Sequence, residues 1–317
     1  MAQNWTEDDI TDQSGRTVLI TGANSGLGLR SAKVLAAKGA KVLLACRSLE
    51  RGEEALAAVR AASTGGAGPE LIRLDLADLA SVRQAAESVR KSTGDGLDIL
   101  INNAGLMASP KQWTADGFER QFGTNHLGHA ALTWLVMPAL RAKPGARVVT
   151  LSSVAAIGAR IDLADPNFER RRYNPAGAYG QSKLANQVFA FELDRRLREE
   201  NADVTSVAAH PGYPATSLGS SMASAYRNKV LSTAIGIGHR IGEALFAQNV
   251  AMGALPQLYA ATADGANGGD YIGPSGFAAL RGHPTVVTPP RAALDPKLGS
   301  GLWELTAGLT QVTPDPA

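Results

Sequence analysis

The feature that most constrains the fold of this chain is a glycine-rich turn directly after its first apolar segment. Residues 17–21 (TVLIT) are typical of a buried strand, and residues 28–38 carry a helical pattern. Three glycines near this junction lack a Cβ, so the backbone can turn sharply and approach a ligand closely. The first turn of the helix offers free N–H groups and a positive dipole to a phosphate. This context predicts a dinucleotide site rather than a merely structural turn, formed by Gly22, Asn24, Ser25, Gly26, Leu27 and Gly28.

Apolar runs and helical patterns continue to alternate through the first two thirds of the chain. The predicted strands are 17–21, 41–45, 71–74, 98–102, 147–151 and 204–209, and the predicted helices are 28–38, 53–61, 81–91, 125–140 and 179–200. Strands joined through helices imply right-handed crossovers and a parallel sheet. The predicted fold class is therefore α/β, with a single doubly wound, Rossmann-type parallel sheet and helices on both faces. We expect an arm at 1–14, one domain over 15–312 and a frayed tail at 313–317.

Composition excludes several classes of protein. The net charge is +2, which gives no strong field to draw the chain to nucleic acid. A single cysteine, Cys46, excludes an internal disulfide framework or a cysteine metal cluster. No apolar run reaches the length of a membrane span, and the acidic, polar start does not resemble a signal peptide. These observations favour a cytoplasmic location. His126 and His129 lack a third ligand nearby, so we expect packing roles and no metal.

Further motifs follow the glycine turn in a fixed order. The spacing of the turn is Gly-x-x-x-Gly-x-Gly, and the later motifs are Asp75-Leu76, Asn102-Asn103-Ala104-Gly105, Asn125, Ser152-Ser153, Tyr179-x-x-x-Lys183 and His210-Pro211-Gly212. With them the chain resembles the short-chain dehydrogenase/reductase family over roughly residues 15–220. The segments ACRS, NHLGHA and AYGQSKLANQVF resemble most the branch of retinol dehydrogenases and protochlorophyllide reductases. The resemblance implies a nicotinamide-dependent oxidoreductase acting on CH–OH or C=O groups.

Two of these residues lie four apart on a predicted helix, so their side chains share one face. An unperturbed tyrosine is too weak an acid to serve as a base at neutral pH. We expect the Lys183 ammonium to favour the phenolate of Tyr179 and so to lower its pKa. Tyr179 would then donate a proton in reduction and accept one in oxidation. The resemblance further implies that Lys183, like Tyr179, holds the nicotinamide ribose.

The residues Ser152 and Ser153 end the fifth strand, at the edge where open α/β sheets bind ligands. Strand alternation sends their side chains to opposite faces, so only one can reach a substrate oxygen. The family pattern places the catalytic hydroxyl second, at Ser153, and leaves Ser152 to satisfy the backbone. The same resemblance implies that Asn125 shapes a helical kink and takes part in a proton relay to the lysine. The alternative is that Asn125 is an ordinary helix N-cap.

Other contacts to the cofactor are implied by the resemblance alone. Asp75 and Leu76 would meet the adenine, although an aspartate at a strand end is more often a cap. Asn102 would contact the adenosine or steady the sheet, and Ala104 and Gly105 would lie beneath the cofactor. Beyond strand six, the implied contacts are Pro211, Gly212 and Thr216.

The residue after strand two predicts which nicotinamide cofactor is used. An NAD(H) site usually carries an acid about 20 residues past the glycines, which would repel a 2′-phosphate. Here that position is Arg47, followed by Ser48, with no acid before Glu50. A guanidinium can form a forked, charged pair with the phosphate. NADP(H) is therefore the preferred cofactor, with NAD(H) as the alternative.

The remaining segments bear on the substrate. Residues 215–261 hold four charged side chains, which favours a lid over about 213–262 and an apolar small-molecule alcohol or carbonyl substrate. The same residues, like the insertion at 158–178, could instead cover a subunit interface, and a homo-oligomer is compatible with the sequence. The short run Glu169–Arg172 fits a solvated loop. Two other functions stay open: reduction of an enone or other C=C bond on the same fold, and a non-catalytic NADP(H)-binding sensor.

Overall fold

The backbone forms one eight-stranded sheet. In this computed structural model the described residues are 4–64, 68–213 and 249–317. The strands are β1 (Thr17–Thr21), β2 (Lys41–Cys46), β3 (Glu70–Arg73), β4 (Ile99–Asn102), β5 (Ala146–Leu151), β6 (Val204–Ala209), β7 (Tyr271–Pro274) and β8 (Pro284–Val286). Their order is β3-β2-β1-β4-β5-β6-β7-β8, and all neighbours are parallel except β7 and β8. The predicted α/β, Rossmann-type class is confirmed, with an antiparallel edge strand added.

Helices cover both faces of this sheet, as predicted. They are α1 (Gly26–Ala37), α2 (Leu49–Arg60), α3 (Leu79–Thr93), α4 (Arg120–Phe122), α5 (Gly128–Arg141), α6 (Pro175–Glu199), α7 (Val250–Thr262) and α8 (Pro296–Thr310), and a π-helical turn, Gly123–Leu127, joins α4 to α5. One apolar core lies between the sheet and α1, α2 and α7, and contains Leu35 and Ala254. The other lies beneath α3, α5, α6 and α8, and contains Trp134 and Trp303. β1 and β4 are neighbours in the sheet, and the chain continues away from this pair in opposite directions. A crevice therefore opens at the carboxyl ends of these two strands.

The first and last parts of the described chain pack onto this core. Ile10, in the predicted arm, is buried, and Trp5 meets Tyr259 of α7 edge to face. In the predicted tail at 313–317, one side chain contacts the body of the domain. Asp315 forms an ion pair with Arg141 at 2.6 Å, which anchors the tail to α5. Within the residues described, no helix combines the length and apolar character that crossing a membrane requires.

Candidate active site

The glycine turn after β1 forms a cradle for a ligand, and at Gly22 and Gly28 this cradle leaves no room for a side chain. A Cβ on Gly28 would lie 2.4 Å from the carbonyl oxygen of Gly22 and 2.6 Å from Nδ2 of Asn103. Gly22 itself has a φ of +66°, in the left-handed region that favours glycine. The backbone at Gly22 and Gly28 can therefore approach a ligand closely, with no side chain in between. This geometry fits a pyrophosphate, which needs short contacts to main-chain N–H groups.

The start of α1 leaves its N–H groups without a side-chain partner. Ser25 is the N-cap residue and is extended, but its hydroxyl makes no capping hydrogen bond. Its side chain is exposed, and Asn24 beside it is half-buried. Leu27 faces inward instead, and its carbonyl oxygen accepts from Nε2 of Gln257 at 3.3 Å. The first turn of α1 is thus open to an anion.

A buried polar network connects this cradle to α5, and sequence reasoning missed it. The hydroxyl of Thr21 accepts the N–H groups of Asn103 and Ala104, both at 2.9 Å. The same hydroxyl lies 2.8 Å from Nε2 of His129, whose Nδ1 lies 2.9 Å from the carbonyl oxygen of Asn125. A carbonyl only accepts, so Nδ1 carries the hydrogen and Thr21 donates to Nε2. Burial lowers the pKa of His129 to about 4, in agreement with a neutral ring. His129 therefore packs in the interior and connects the glycine cradle at Thr21 to the turn that carries Asn125.

The neighbouring asparagines after β4 have different roles. Asn102 is fully buried and donates to the hydroxyls of Thr133 and Thr150, at 2.9 and 3.4 Å. This is the sheet-steadying alternative of the prediction. Asn103 instead turns toward the cradle, where its Nδ2 donates to the carbonyl of Thr21 at 2.8 Å. In the sequence, the pair Asn102-Asn103 was the signal that could have indicated a role for Asn103.

Asn125 lies inside the π-helical turn and not at a helix N-cap, so that alternative is wrong. Its Oδ1 accepts the N–H of Leu106 and its Nδ2 donates to the carbonyl of Leu106, both at 2.9 Å. Nδ2 also donates to the Ser182 hydroxyl at 2.9 Å. A π-turn inside an α-helix often marks a functional site. Here it brings the predicted relay residue against Gly105, where a Cβ would lie 3.3 Å from Oδ1 of Asn125 and 3.4 Å from Nζ of Lys183.

Ser152 and Ser153 point to opposite sides, as strand alternation predicts. The Ser152 hydroxyl is buried and donates to the carbonyl oxygen of Lys183 at 2.9 Å. The Ser153 hydroxyl accepts the N–H of Ala155 at 3.2 Å and lies near enough to Tyr179 to lower the pKa of that tyrosine. The half-buried Ser153 and Tyr179 therefore share one side of the crevice.

The ammonium of Lys183 is buried beneath them. It donates to the carbonyl oxygen of Leu151 at 3.1 Å and lies 6.0 Å from the centre of the Tyr179 ring. Burial lowers the pKa of Lys183 to about 8, so the amine is still mostly protonated at neutral pH. Burial raises the pKa of Tyr179, and the Ser153 hydroxyl works against that rise. Burial therefore dominates the tyrosine pKa, in contrast to the predicted lowering by Lys183.

The residues predicted to meet the adenosine lie at the ends of β2 and β3. Arg47 is exposed and forms no ion pair within the described part of the chain. Ser48 is the N-cap of α2 and accepts the N–H of Arg51 at 3.4 Å. Asp75 accepts the N–H of Ala77 at 3.0 Å in a local turn, and the N-cap of α3 is Asp78 instead. Leu76 is buried, and a Cβ on Gly128 would lie only 2.4 Å from the carbonyl oxygen of Leu76.

A cleft of about 260 Å³ opens beside Val154, the residue that follows Ser153, and is bounded by His210 after β6. Gly212, with a φ of +68°, packs so closely on the loop after β7 that a Cβ would lie 2.3 Å from the carbonyl oxygen of Leu280. The neighbouring Pro211 is half-buried. Thr216 and most of the predicted lid at 213–262 lie outside the described residues. Most of the side chains that line the cleft are apolar. The lining residues are Val154, Ile157, His210, Tyr271, Ala279, Val287, Thr288, Pro289 and Pro290.

The insertion at 158–178 is hydrogen-bonded within itself and to α6. Asp165 is buried and accepts the N–H groups of Glu169 and Arg171, at 2.8 and 3.1 Å. Arg171 folds back over Phe168 and donates to Oε1 of Gln181, at 2.7 Å. The run Glu169–Arg172 is therefore only partly the solvated loop that was predicted. Gln181 stands two residues after Tyr179, so the insertion braces the helix that carries the tyrosine.

Comparisons with known proteins agree with this geometry. Residues 16–227 match the profile of a family described as short chain dehydrogenase. Retinol dehydrogenase 13 of Homo sapiens is 45% identical over 205 residues, which are 65% of this chain and 61% of that protein. Polyprenol dehydrogenase of Mus musculus is 42% identical over 213 residues, 66% of this chain and 63% of that protein. The chain thus matches about three-fifths of the length of these curated relatives.

Solved structures resemble the chain over more of its length. The crystal structure of an uncharacterized protein from Mycobacterium paratuberculosis is 41% identical, covers 98% of both chains and has a TM-score of 0.77. Levodione reductase is 22% identical, covers 83% of this chain and 95% of its own, and has a TM-score of 0.64. At that identity the second likeness concerns the fold alone.

Proposed function

The chain belongs to the short-chain dehydrogenase/reductase family, and on that premise we propose that it is an NADP(H)-dependent oxidoreductase. The proposed reaction moves a hydride between the nicotinamide and the carbonyl or alcohol carbon of an apolar small molecule. The observation that carries the proposal is the grouping of Ser153, Tyr179 and Lys183 where β5 meets α6: the Lys183 ammonium donates to Leu151 at the end of β5 and lies 6.0 Å from the centre of the Tyr179 ring. They lie at the same edge of the sheet as the glycine cradle.

The residues present fit a nicotinamide dinucleotide. The cradle at Gly22 and Gly28 leaves room that a Cβ would fill, and the open first turn of α1 favours a pyrophosphate. When bound, the reduced cofactor supplies the hydride. Tyr179 and Lys183 are proposed to hold the ribose. Arg47 and Ser48 are proposed to hold the 2′-phosphate of NADP(H), because a guanidinium pairs with a phosphate through charged, forked bonds.

The chain's own side chains would manage the proton. In reduction, Ser153 donates a hydrogen bond to the substrate oxygen and stabilises the charge that develops there. Tyr179 then donates its proton to that oxygen, and in oxidation it accepts the proton back. The ammonium of Lys183 stabilises the resulting phenolate, offsetting the effect of burial on the tyrosine. Asn125 fixes the loop at Leu106 beside Lys183, where a relay can return a proton to Tyr179.

An apolar substrate is supported by the cleft beside Val154, the residue that follows Ser153. Val154, Ile157 and Val287 belong to its lining, with few polar groups to fix a hydrophilic ligand. Retinol dehydrogenases and a polyprenol dehydrogenase are among the relatives, and both names describe alcohols of apolar molecules. We extend that substrate class to this chain as part of the proposal.

A panel of substrates tests the function directly. The protein is incubated with NADPH and apolar aldehydes, ketones and enones, or with NADP⁺ and apolar alcohols, and small polar analogues serve as controls. We expect turnover of apolar carbonyls and alcohols, with products identified by mass spectrometry. Turnover of enones to saturated ketones alone would assign C=C reduction instead. Binding of the cofactor with no turnover of any panel member would favour a sensor.

A further inference from the structure

The carboxyl ends of β2 and β3 place a second arginine beside Arg47. Cys46, the last residue of β2, pairs with Arg73, the last residue of β3. The N–H of Leu74 donates to the carbonyl oxygen of Cys46 at 2.9 Å, so the two strand ends are joined there. Neighbouring strands lie about 4.8 Å apart. The backbone of Arg73 therefore stands directly beside the peptide that leads into Arg47.

The face on which Arg73 projects is given by its own strand. Leu71, two residues earlier, packs under α2, where a Cβ on Gly52 would lie 2.7 Å from Cδ1 of Leu71. Residues two apart in a strand project to the same face. Since α2 begins at Leu49, with Ser48 as its N-cap, Arg73 projects toward the first turn of that helix. Both arginines thus flank one helix N-terminus.

The charges around these two side chains leave them available to an anion. Arg47 and Arg73 are both exposed, and neither forms an ion pair or side-chain hydrogen bond in the described part of the chain. Glu70, at the far end of β3, is paired with Lys41 at 2.6 Å. Glu50, in the first turn of α2, is exposed and pairs with neither arginine. Two uncompensated guanidinium groups therefore lie on adjacent strand ends.

We propose that Arg73 is a second specificity-determining residue, which binds the 2′-phosphate of NADP(H) together with Arg47. The inference rests on the proposed function, because it concerns the same cofactor site. A phosphate dianion has three oxygens that accept charged hydrogen bonds, so two guanidinium groups can bind it from different sides. The 2′-hydroxyl of NAD(H) carries no charge. Arg73 therefore contributes to the affinity for NADP(H) and not to the affinity for NAD(H).

The sharpest probes are 2′,5′-ADP and 5′-AMP, which differ only in the 2′-phosphate. Their affinities are measured by calorimetry for the wild type, Arg47→Ala, Arg73→Ala and Arg73→Lys. The matched control is Arg60→Ala, at the other end of α2. We expect Arg73→Ala to weaken 2′,5′-ADP about tenfold, as for loss of a charged hydrogen bond, with 5′-AMP unchanged. Arg73→Lys should recover part of the loss, and Arg60→Ala should have no effect.

The outcomes separate this inference from the function on which it rests. If Arg47→Ala weakens 2′,5′-ADP selectively and Arg73→Ala does not, the role of Arg73 is overturned and the NADP(H) preference stands. An equal loss of both nucleotides in Arg73→Ala also overturns it, because the residue would then not read the phosphate. If the wild type binds both nucleotides equally, both the cofactor preference and this inference fail.

Discussion

The Lys183 ammonium donates a hydrogen bond to the carbonyl oxygen of Leu151, the last residue of β5, at 3.1 Å. The same strand end continues into Ser152 and Ser153, so one backbone segment positions both the lysine and the serine. Ser152 strengthens the arrangement, because its hydroxyl donates back to the carbonyl of Lys183 at 2.9 Å. The positions of the serine, tyrosine and lysine are thereby linked through one junction between β5 and α6.

The two serines should therefore respond differently to loss of their hydroxyls. We expect Ser153→Ala to lower kcat by about 10²–10³, as for loss of an oxyanion donor, with little change in the free energy of unfolding. Ser152→Ala should lower the free energy of unfolding by about 1 kcal/mol, since it removes a buried hydrogen bond to the carbonyl oxygen of Lys183. Steady-state kinetics and urea denaturation of each variant measure the two effects. A larger loss of kcat in Ser152→Ala than in Ser153→Ala would reverse the assignment.

The cofactor preference gives a second prediction. Arg47→Asp places a carboxylate at the end of β2, where it would repel a 2′-phosphate and accept from a 2′-hydroxyl. We expect NADPH binding to weaken by about 1.5–3 kcal/mol relative to NADH, as for loss of a charged hydrogen bond. Fluorescence titration of both cofactors checks this. An unchanged ratio of the two affinities in the variant would refute the role of Arg47.

The buried histidines give a prediction for stability against pH. Burial lowers the pKa of His126 to about 3 and that of His129 and His210 to about 4. In the unfolded chain these rings bind protons near pH 6.5. Below that pH the unfolded state therefore binds more protons, and the free energy of unfolding falls as the pH falls toward 4. The expected loss between pH 7 and pH 5 is about 2 kcal/mol for each ring.

A histidine variant isolates this effect from the carboxylates. Urea denaturation of the wild type and His126→Asn is compared at pH 7 and at pH 5. The variant should be less stable than the wild type at pH 7, because it loses the contact of His126 with Thr306 at 2.9 Å. Its further loss on going to pH 5 should be smaller by about 2 kcal/mol. Identical pH dependence in the two proteins would contradict a neutral, buried His126.

Most of the sheet could be predicted because buried parallel strands are written as short apolar runs. The bounds predicted for β1 and β6 match those of the structure. The strand β7 was missed, because Tyr271–Pro274 contains a glycine and a proline and owes its place to pairing with β6. Helix α8 was missed too, since no motif singled out the region beyond the predicted lid.

The site was predictable in its members more than in their geometry. Motif spacing grouped Tyr179, Lys183 and Ser153, and in the structure all three lie where β5 meets α6. It could not show that Asn125 lies in a π-turn, because NHLG reads like any helix start. Nor could it show that Thr21 and His129 connect the cradle to that turn, since this contact spans 108 positions of the chain. Such contacts depend on the tertiary fold and leave no local pattern.

The most direct measurement of the central claim is the turnover of Tyr179→Phe with NADPH and the best apolar carbonyl of the panel. The variant keeps the ring and loses only the hydroxyl, so we expect the Kd for NADPH to stay within a few-fold and kcat to fall by about 10²–10⁴. Tyr259→Phe, on α7 and away from the crevice, should retain wild-type values and serves as the matched control. A Tyr179→Phe protein with more than a tenth of the wild-type kcat would contradict the account.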